Sequence, residues 1–369
     1  MGTRDLREDD RGGDGSEDGF PARRSPARAQ ATVDRLLEAL LAGLTRCAEA
    51  SSIESVVARG AFVGRRWAQF GLPRTRRVRE QLSRAFPEIP EAERERWVGG
   101  VFEHFGRSLA ELILLRGRHR ETLLARVEVQ GLDHLEAAEA QSATGGVLLV
   151  SAHYGNWELG GVRVASLGVR LSAVFRGLAQ PVLDTALKEI RSAPVDPWVD
   201  YQPIRMGRAG LGVVRALKGG RKILVLLDQD AHREPGLFVS FFGCPARVRT
   251  GPLRLARRRG IPIVPVFIRR DAETGRHRIR IHPALLQDES PAAALDAGVE
   301  ESGRTNPGRA SDPAWLAATV QRITALIEAE IREDPTQWIW THRRWRSPPH
   351  PSETPPPEAR TRRPQRPRA

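Results

Sequence analysis

The spacing of apolar residues changes along this chain, and the change near residue 145 separates two kinds of structure. Over residues 33 to 72 apolar side chains recur every three or four positions: Val33, Leu36, Leu37, Leu40, Leu41 and Leu44, then Val56, Val57, Val63, Trp67 and Phe70. That period is helical, with Asp34, Arg35, Glu38 and Arg46 on other sides of the first stretch and Arg59, Arg65 and Arg66 interleaved in the second. A further helical stretch covers residues 90 to 125. It opens with "PEAERERWVGG", a proline at the start and acidic residues in the first turn, where the helix dipole favours negative charge. From about residue 145 short apolar runs alternate with amphipathic segments. "GVLLV" precedes a helix at 156 to 167, "LSAVF" one at 181 to 193, and "KILVLL" a loop and a helix at 251 to 259; "IPIVPVFI" leads to the alternating "HRIRIHP". Strands covered on both faces read as unbroken apolar runs. The pattern predicts an α/β fold: a mostly parallel sheet flanked by helices, preceded by an N-terminal helical region.

The same reading divides the chain into a polar tail at 1–30, a helical region at 31–125 and an α/β domain at 126–346, with a Pro/Arg-rich tail at 347–369. Residues 284–312 read as a long loop before a helix at 313–333. Both tails are too poor in apolar residues to order themselves, so disorder is expected there. The first residues lack the apolar core of a secretory signal, and no segment holds the ~18 to 20 apolar residues that cross a bilayer. Membrane contact is therefore expected to be peripheral, with residues 33–72 as the docking part. Apolar and arginine-rich faces together suit an interfacial helix, and they equally suit an amphipathic helix packed on the domain.

Composition adds a charge. The 369 residues carry 58 Lys+Arg against 45 Asp+Glu, a net +13, and only Lys188, Lys218 and Lys222 are lysines. A basic surface attracts polyanions, whether nucleic acid, an anionic bilayer or a phosphorylated substrate. Two cysteines, Cys47 and Cys244, are too few for a disulfide framework or a Cys-rich zinc site, which points to a reducing, cytoplasmic setting.

The candidate chemistry stands in "GGVLLVSAHYGNWELGG", residues 145 to 161. In an open α/β sheet, reactive groups gather beyond the carboxyl ends of the strands, and His153 follows the strand-like "VLLV" by two residues. A histidine accepts a hydroxyl proton near neutral pH, and a carboxylate on its second ring nitrogen would fix the tautomer; Glu158, five residues on, is placed to supply it. "GNW" between them, including Asn156, offers N–H groups at a helix start for a developing oxyanion. Asp228 and Asp230 in "LLDQDAH" mark another strand end. With His232 they resemble a metal site, but the cluster offers too few secure ligands and the chemistry needs no metal, so no metal and no cofactor is expected.

These residues lie inside blocks that resemble, in order, the lipid A biosynthesis acyltransferases, the lauroyl/myristoyl transferases of the lysophospholipid acyltransferase superfamily. "SAHYGNWELGG" looks like that family's H-x-x-x-x-E block. "LSRAFPEIPEAER" and "VEVQGLDHLEAA" upstream, and "VFRGLAQPVLD", "LLDQDAHREPGLFVSFFGCPARVRTGPLRLARRRGIPIVPVF" and "QWIWTHRRWR" downstream, extend the likeness over residues 75 to 346. The resemblance implies an O-acyltransferase of the glycerol-3-phosphate-acyltransferase-like fold. It would move an acyl chain from an acyl carrier protein or coenzyme A thioester to a hydroxyl of a membrane glycolipid, a lipid A precursor, at the cytoplasmic face of the bacterial inner membrane. His153 would be the general base, Glu158 its orienting partner, and no covalent acyl-enzyme would form. Arg176 is the candidate oxyanion cation or phosphate clamp, with Asp228, as a partner of Arg176, and Asp230 in support. Phe238, Phe241 and Phe242 are apolar bulk that suits an acyl groove and equally suits ordinary core, and the basic runs at 254–260 and 342–346 would meet lipid phosphates or an acidic carrier protein, with His342 structural or phosphate-facing. The chain departs from the family in the charges that interrupt its N-terminal apolar region.

Two other classes fit less of the sequence. A basic nucleic-acid-binding protein accounts for the charge but not for the ordered blocks, so no nucleic acid partner is expected. A Ser hydrolase would need a G-x-S-x-G elbow, which the chain lacks. Another lipid acceptor with the same chemistry stays open, because acceptor choice lies outside the His-Glu block.

Overall fold

The computed structural model describes residues 26–70, 73–175, 177–192, 200–205, 209–232, 236–285 and 312–349. Most of the expected 284–312 loop and both tails lie outside the described residues, as does Arg176.

The region before the sheet is helical. Helices α1 (Pro26–Glu49) and α2 (Ile53–Gln69) share the expected 33–72 stretch, which breaks at residues 50–52, where Ser52 caps α2 by accepting from Ser55 N. Next come α3 (Pro73–Ala85), α4 (Glu91–Leu114) and α5 (Arg120–Ala125), the last two dividing the 90–125 stretch. Helix α2 lies very close on α4. A Cβ on Gly60 would stand 2.4 Å from the Gly106 carbonyl oxygen, so only glycine allows this crossing. Between them the two helices leave an outward face of Phe62, Val63, Trp67, Phe105 and Leu109 uncovered.

Among the described residues seven strands form the main sheet: β1 (Val127–Gln130), β2 (Val147–Ser151), β3 (Leu171–Phe175), β4 (Tyr201–Arg205), β5 (Lys222–Leu226), β8 (Ile263–Arg270) and β9 (His277–Ile281). Their order is β1-β9-β8-β2-β5-β3-β4, parallel throughout except for the antiparallel β8–β9 pair. A separate antiparallel hairpin, β6 (Gly236–Phe241) and β7 (Cys244–Arg249), follows β5. The expected mostly parallel α/β architecture is therefore present.

Strand alternation sorts the core into two layers. On one face Val147, Leu149, Leu171 and Val264 pack with α5, α6 (Leu132–Ala140) and α7 (Trp157–Ser166), and Ile190 of α8 (Pro181–Ser192) joins them. On the other, Leu148, Val150, Ile223, Val225 and Phe267 meet α9 (Ala209–Lys218), α10 (Gly251–Arg259) and α11 (Pro313–Glu333). Val78, Leu82, Val98 and Phe102 belong to that second core, so the helical region and the sheet share it.

After α11 a 3₁₀ turn (Pro335–Gln337) leads the chain back across the strand ends. Trp338 and Trp340 are fully buried there, their rings 4.6 Å apart and nearly perpendicular. Gln81 of α3 clamps this segment: its amide donates to the Trp340 and His342 carbonyls and its oxygen accepts from Arg344 N at 2.7 Å.

Candidate active site

Strands β2 and β5 are parallel neighbours with Ser151 opposite Leu226, so the residues that follow them emerge side by side. His153 and Asp228 meet at that edge. The Asp228 carboxylate accepts from His153 Nδ1 at 2.8 Å with one oxygen; with the other it accepts from His153 N at 2.9 Å and from Trp338 Nε1 at 2.8 Å. Burial opposes the charge of Asp228, but His153 and these hydrogen bonds outweigh it and hold its pKa at about 2. The contact leaves Nε2 as the nitrogen available for chemistry, and among the described residues it meets Gln229 Nε2 at 3.3 Å. The Trp157 ring stands edge-on to the imidazole, centroids 5.0 Å apart, and Ile339 N donates to the His153 carbonyl.

This geometry corrects the sequence reading of Glu158. Glu158 sits in the first turn of α7 with both oxygens gripped by Arg191 of α8, at 2.6 and 2.8 Å. The pair is buried, with the Arg191 guanidinium over the Phe175 ring. Burial works against the charge on Arg191, and Glu158 more than offsets it, holding the guanidinium protonated. Glu158 thus ties α7 to α8, and Asp228 occupies the place beside Nδ1 that was expected for it. Arg176, the partner expected for Asp228, lies outside the described residues.

Asn156 also turns away from the expected oxyanion position. Its Oδ1 caps α7 by accepting from Leu159 N at 3.2 Å, and its Nδ2 points inward to Glu111 Oε2 at 2.9 Å. Between the strand and that cap, Gly155 adopts φ +61°, and a Cβ there would lie 2.0 Å from the Ile268 carbonyl oxygen. Asp230 accepts from Ser347 N and Oγ, both at 2.9 Å, while its own N–H donates to His342 Nε2. It fastens the C-terminal segment. Burial pushes the His342 pKa down to about 4 and keeps the ring neutral near pH 7, in keeping with its structural placement.

The three phenylalanines do not flank His153. Phe241 and Phe242 are core residues packed against Trp338, Trp340 and Phe86, and Phe238 lies half-buried with the Arg247 guanidinium over its ring. The basic runs are partly structural too. Arg344 is buried, donates to the Arg247 carbonyl and lies over Phe241; burial lowers its pKa to about 10. Arg257 lies over the Trp315 ring, which leaves Arg254, Arg258 and Arg259 exposed on α10.

An apolar cavity of about 300 Å³ instead borders Trp157, the ring packed against the imidazole. Trp157, Trp338 and Ile339 form its inner wall, Val101 and Phe102 of α4 extend it, and Val63, Trp67, Phe105 and Leu109 form its rim. Those four rim residues are exposed, so the cavity opens on the uncovered face of α2 and α4. Sequence reasoning missed this cavity and Gln229, because neither carries a local pattern.

Residues 36–347 match the family model described as bacterial lipid A biosynthesis acyltransferase. The chain belongs to that family. It is therefore an acyltransferase. Among its relatives, the lipid A biosynthesis palmitoleoyltransferase of Escherichia coli (strain K12) is 27% identical over 293 residues, 78% of this chain and 85% of that one. The lipid A biosynthesis lauroyltransferase of the same strain is 25% identical over 295 residues, 79% and 85% of the two chains. The phosphatidylinositol mannoside acyltransferase of Mycobacterium tuberculosis (strain CDC 1551 / Oshkosh) is 27% identical over 278 residues, 72% and 82%. Among the described residues no helix is long and apolar enough to cross a membrane.

Proposed function

We propose that the protein transfers a fatty acyl chain from a thioester donor to a hydroxyl of a membrane glycolipid, a lipid A precursor, with His153 as general base. The observation that carries this reading is the His153–Asp228 contact, which fixes the proton on Nδ1 and leaves Nε2 as the acceptor, with the Trp157 ring between the imidazole and an apolar cavity that Trp157 helps to line. The acceptor hydroxyl takes the place of the Gln229 amide beside Nε2, gives its proton to that nitrogen, and its oxygen attacks the thioester carbonyl. A C–O bond forms. Collapse of the tetrahedral intermediate breaks the C–S bond, and the proton on Nε2 leaves with the thiol, so the histidine returns to its starting state and no acyl-enzyme intervenes. The ionised Asp228 stabilises the imidazolium between the two transfers. The N–H groups of Trp157 and Glu158, in the first turn of α7 just after the base, are the backbone donors offered to the oxyanion.

The cavity suits an alkyl chain, since its rim and inner wall are mainly aliphatic and aromatic. Also exposed are Leu36 and Leu40 of α1, Phe62 of α2 and Phe70 just after it, the last 74% exposed, with the exposed Arg59 and Arg66 interleaved along α2. Apolar side chains with interleaved arginines match the interface of an anionic bilayer. This face docks the enzyme, as a peripheral protein, on the cytoplasmic side of the inner membrane. The exposed arginines of α10 suit the acidic surface of an acyl carrier protein, and equally the phosphates of coenzyme A.

A second acceptor class has an observation behind it, the likeness to the phosphatidylinositol mannoside acyltransferase. Acyl carrier protein and coenzyme A thioesters bearing a radiolabelled long chain, each offered a lipid A precursor or a mannosylated phosphatidylinositol in mixed micelles, separate these readings. Label in the lipid A precursor is expected. Label confined to the mannolipid would move the acceptor to the second class, and label in neither lipid would overturn the proposed acceptor.

A further inference from the structure

Behind the turn that carries His153 lies a buried charge cluster whose placement goes beyond what a core requires. Glu111 of α4 is 2% exposed. It accepts from Arg270 Nη1 and Nη2 at 2.7 Å each, from His277 Nε2 at 2.8 Å and from Asn156 Nδ2 at 2.9 Å. Burial opposes its charge, and the His277 and Arg270 charges more than reverse that, so the carboxyl is held well below the usual range. Arg270 and His277 close β8 and open β9, at the point where this otherwise parallel sheet turns back on itself. The cluster thus joins α4, the β8–β9 turn and the start of α7.

The rest of the turn is tied down with comparable care. Gly155 N donates to the Gln337 carbonyl at 3.0 Å, and the His104 ring hydrogen-bonds the Gly155 backbone. Gln337 in turn exchanges hydrogen bonds with both backbone groups of Arg270, at 2.7 and 2.8 Å. Asn156 is the single side chain of the turn that reaches Glu111, and its other end caps α7. A charged, buried acceptor already satisfied by a guanidinium and an imidazole has no need of a further neutral donor for its own stability. The turn does need a fixed point, because a shift of about 1 Å at a catalytic group can cost on the order of 100-fold in rate.

We infer that Glu111, held by Arg270 and His277, is a positioning residue that acts through Asn156 to set the His153–Trp157 turn against the reacting atoms. The inference rests on the reading of His153 as the base. It separates the two functions of Asn156: the cap, which any short oxygen side chain supplies, and the link to Glu111, which needs the amide N–H.

Asn156→Ser tests it, because serine keeps the cap and removes the link. The measurements are steady-state acyl transfer to the lipid A precursor, or to whichever glycolipid the wild type labels, together with thermal melts, for the wild type, Asn156→Ser, Glu111→Gln and the double variant, with His153→Ala as reference. Asn156→Ser is expected to lower kcat at least ten-fold, with KM for the donor within two-fold and the melting temperature within a few degrees. Glu111→Gln is expected to lower kcat as well, and in the Asn156→Ser background to add nothing further, since it acts through the missing link. Wild-type kcat in Asn156→Ser would overturn the inference. So would independent, multiplying losses in the double variant. Should Glu111→Gln fail to fold, as loss of a charge from a buried cluster can cause, the kcat and KM of Asn156→Ser alone decide. Transfer by His153→Ala at the wild-type rate would instead remove the base itself, a result distinct from a failure of the positioning role.

Discussion

Replacing Asp228 with Asn changes one atom and, on this geometry, the tautomer of His153, the proposed base. One Asp228 oxygen receives two N–H donors, His153 N and Trp338 Nε1, and the other receives His153 Nδ1. An asparagine amide satisfies the two donors only with its oxygen on their side, which turns its NH₂ toward Nδ1. The ring then has to accept at Nδ1 and carry its proton on Nε2, where it can no longer take one from a hydroxyl. The same swap in the serine protease triad costs about 10,000-fold in kcat, and a loss of about 1,000-fold or more is expected here. The fold should survive, because all three contacts keep a partner of opposite sense. Glu158→Gln is the matched control: it unpairs buried Arg191 and should cost about 3 kcal/mol of stability or more, while kcat per folded molecule stays within about ten-fold of wild type. Initial rates with radiolabelled acyl carrier protein, corrected for folded protein by circular dichroism, read both. A 1,000-fold loss of kcat in Glu158→Gln with near-normal transfer by Asp228→Asn would refute the assignment.

Two further outcomes follow from burial. His104 and His342 both have pKa values pushed down to about 4, chiefly by burial, against about 6.5 in an unfolded chain, so between those values the unfolded chain binds protons that the fold refuses. Stability should therefore be complete above pH 6.5 and fall as pH drops toward 4, by up to about 3 kcal/mol for each histidine; a melting temperature flat from pH 7 to 4.5 would contradict it. Replacing Leu40 and Trp67 with polar residues, both now exposed, should release the protein from anionic vesicles in flotation while leaving it folded, and unchanged flotation would remove the docking face.

Much of the fold was legible because its period was strong. Helices at 251–259 and 313–333 and the strand "LSAVF" stand where the spacing put them. Strand β4 was not, since Pro203 breaks its pattern; β4 lies at the sheet edge, where a missing N–H is tolerated. Helix α3 hid behind its charges, as only Val78, Leu82 and Ala85 give it an apolar stripe. At the site, His153 and Asp228 both followed from the rule about strand ends. Their pairing did not, because β5 inserts between β2 and β3 and sequence order does not show which strand ends are neighbours. Nearness in sequence favoured Glu158, whereas its actual partner comes from α8. The phenylalanine run looked like a groove for the opposite reason: an aromatic cluster in a core and one in a pocket have the same composition, and only the buried Trp338 and Trp340 against Phe241 and Phe242 tell them apart.

The central claim is that His153 takes the acceptor's proton, and the most direct measurement is single-turnover acyl transfer by wild type and His153→Ala at saturating donor and acceptor. The account predicts a fall in the chemical rate of at least about 1,000-fold, with an unchanged melt and no label retained on either protein. Transfer by His153→Ala within ten-fold of wild type, or a labelled acyl-enzyme in the wild type, would contradict it.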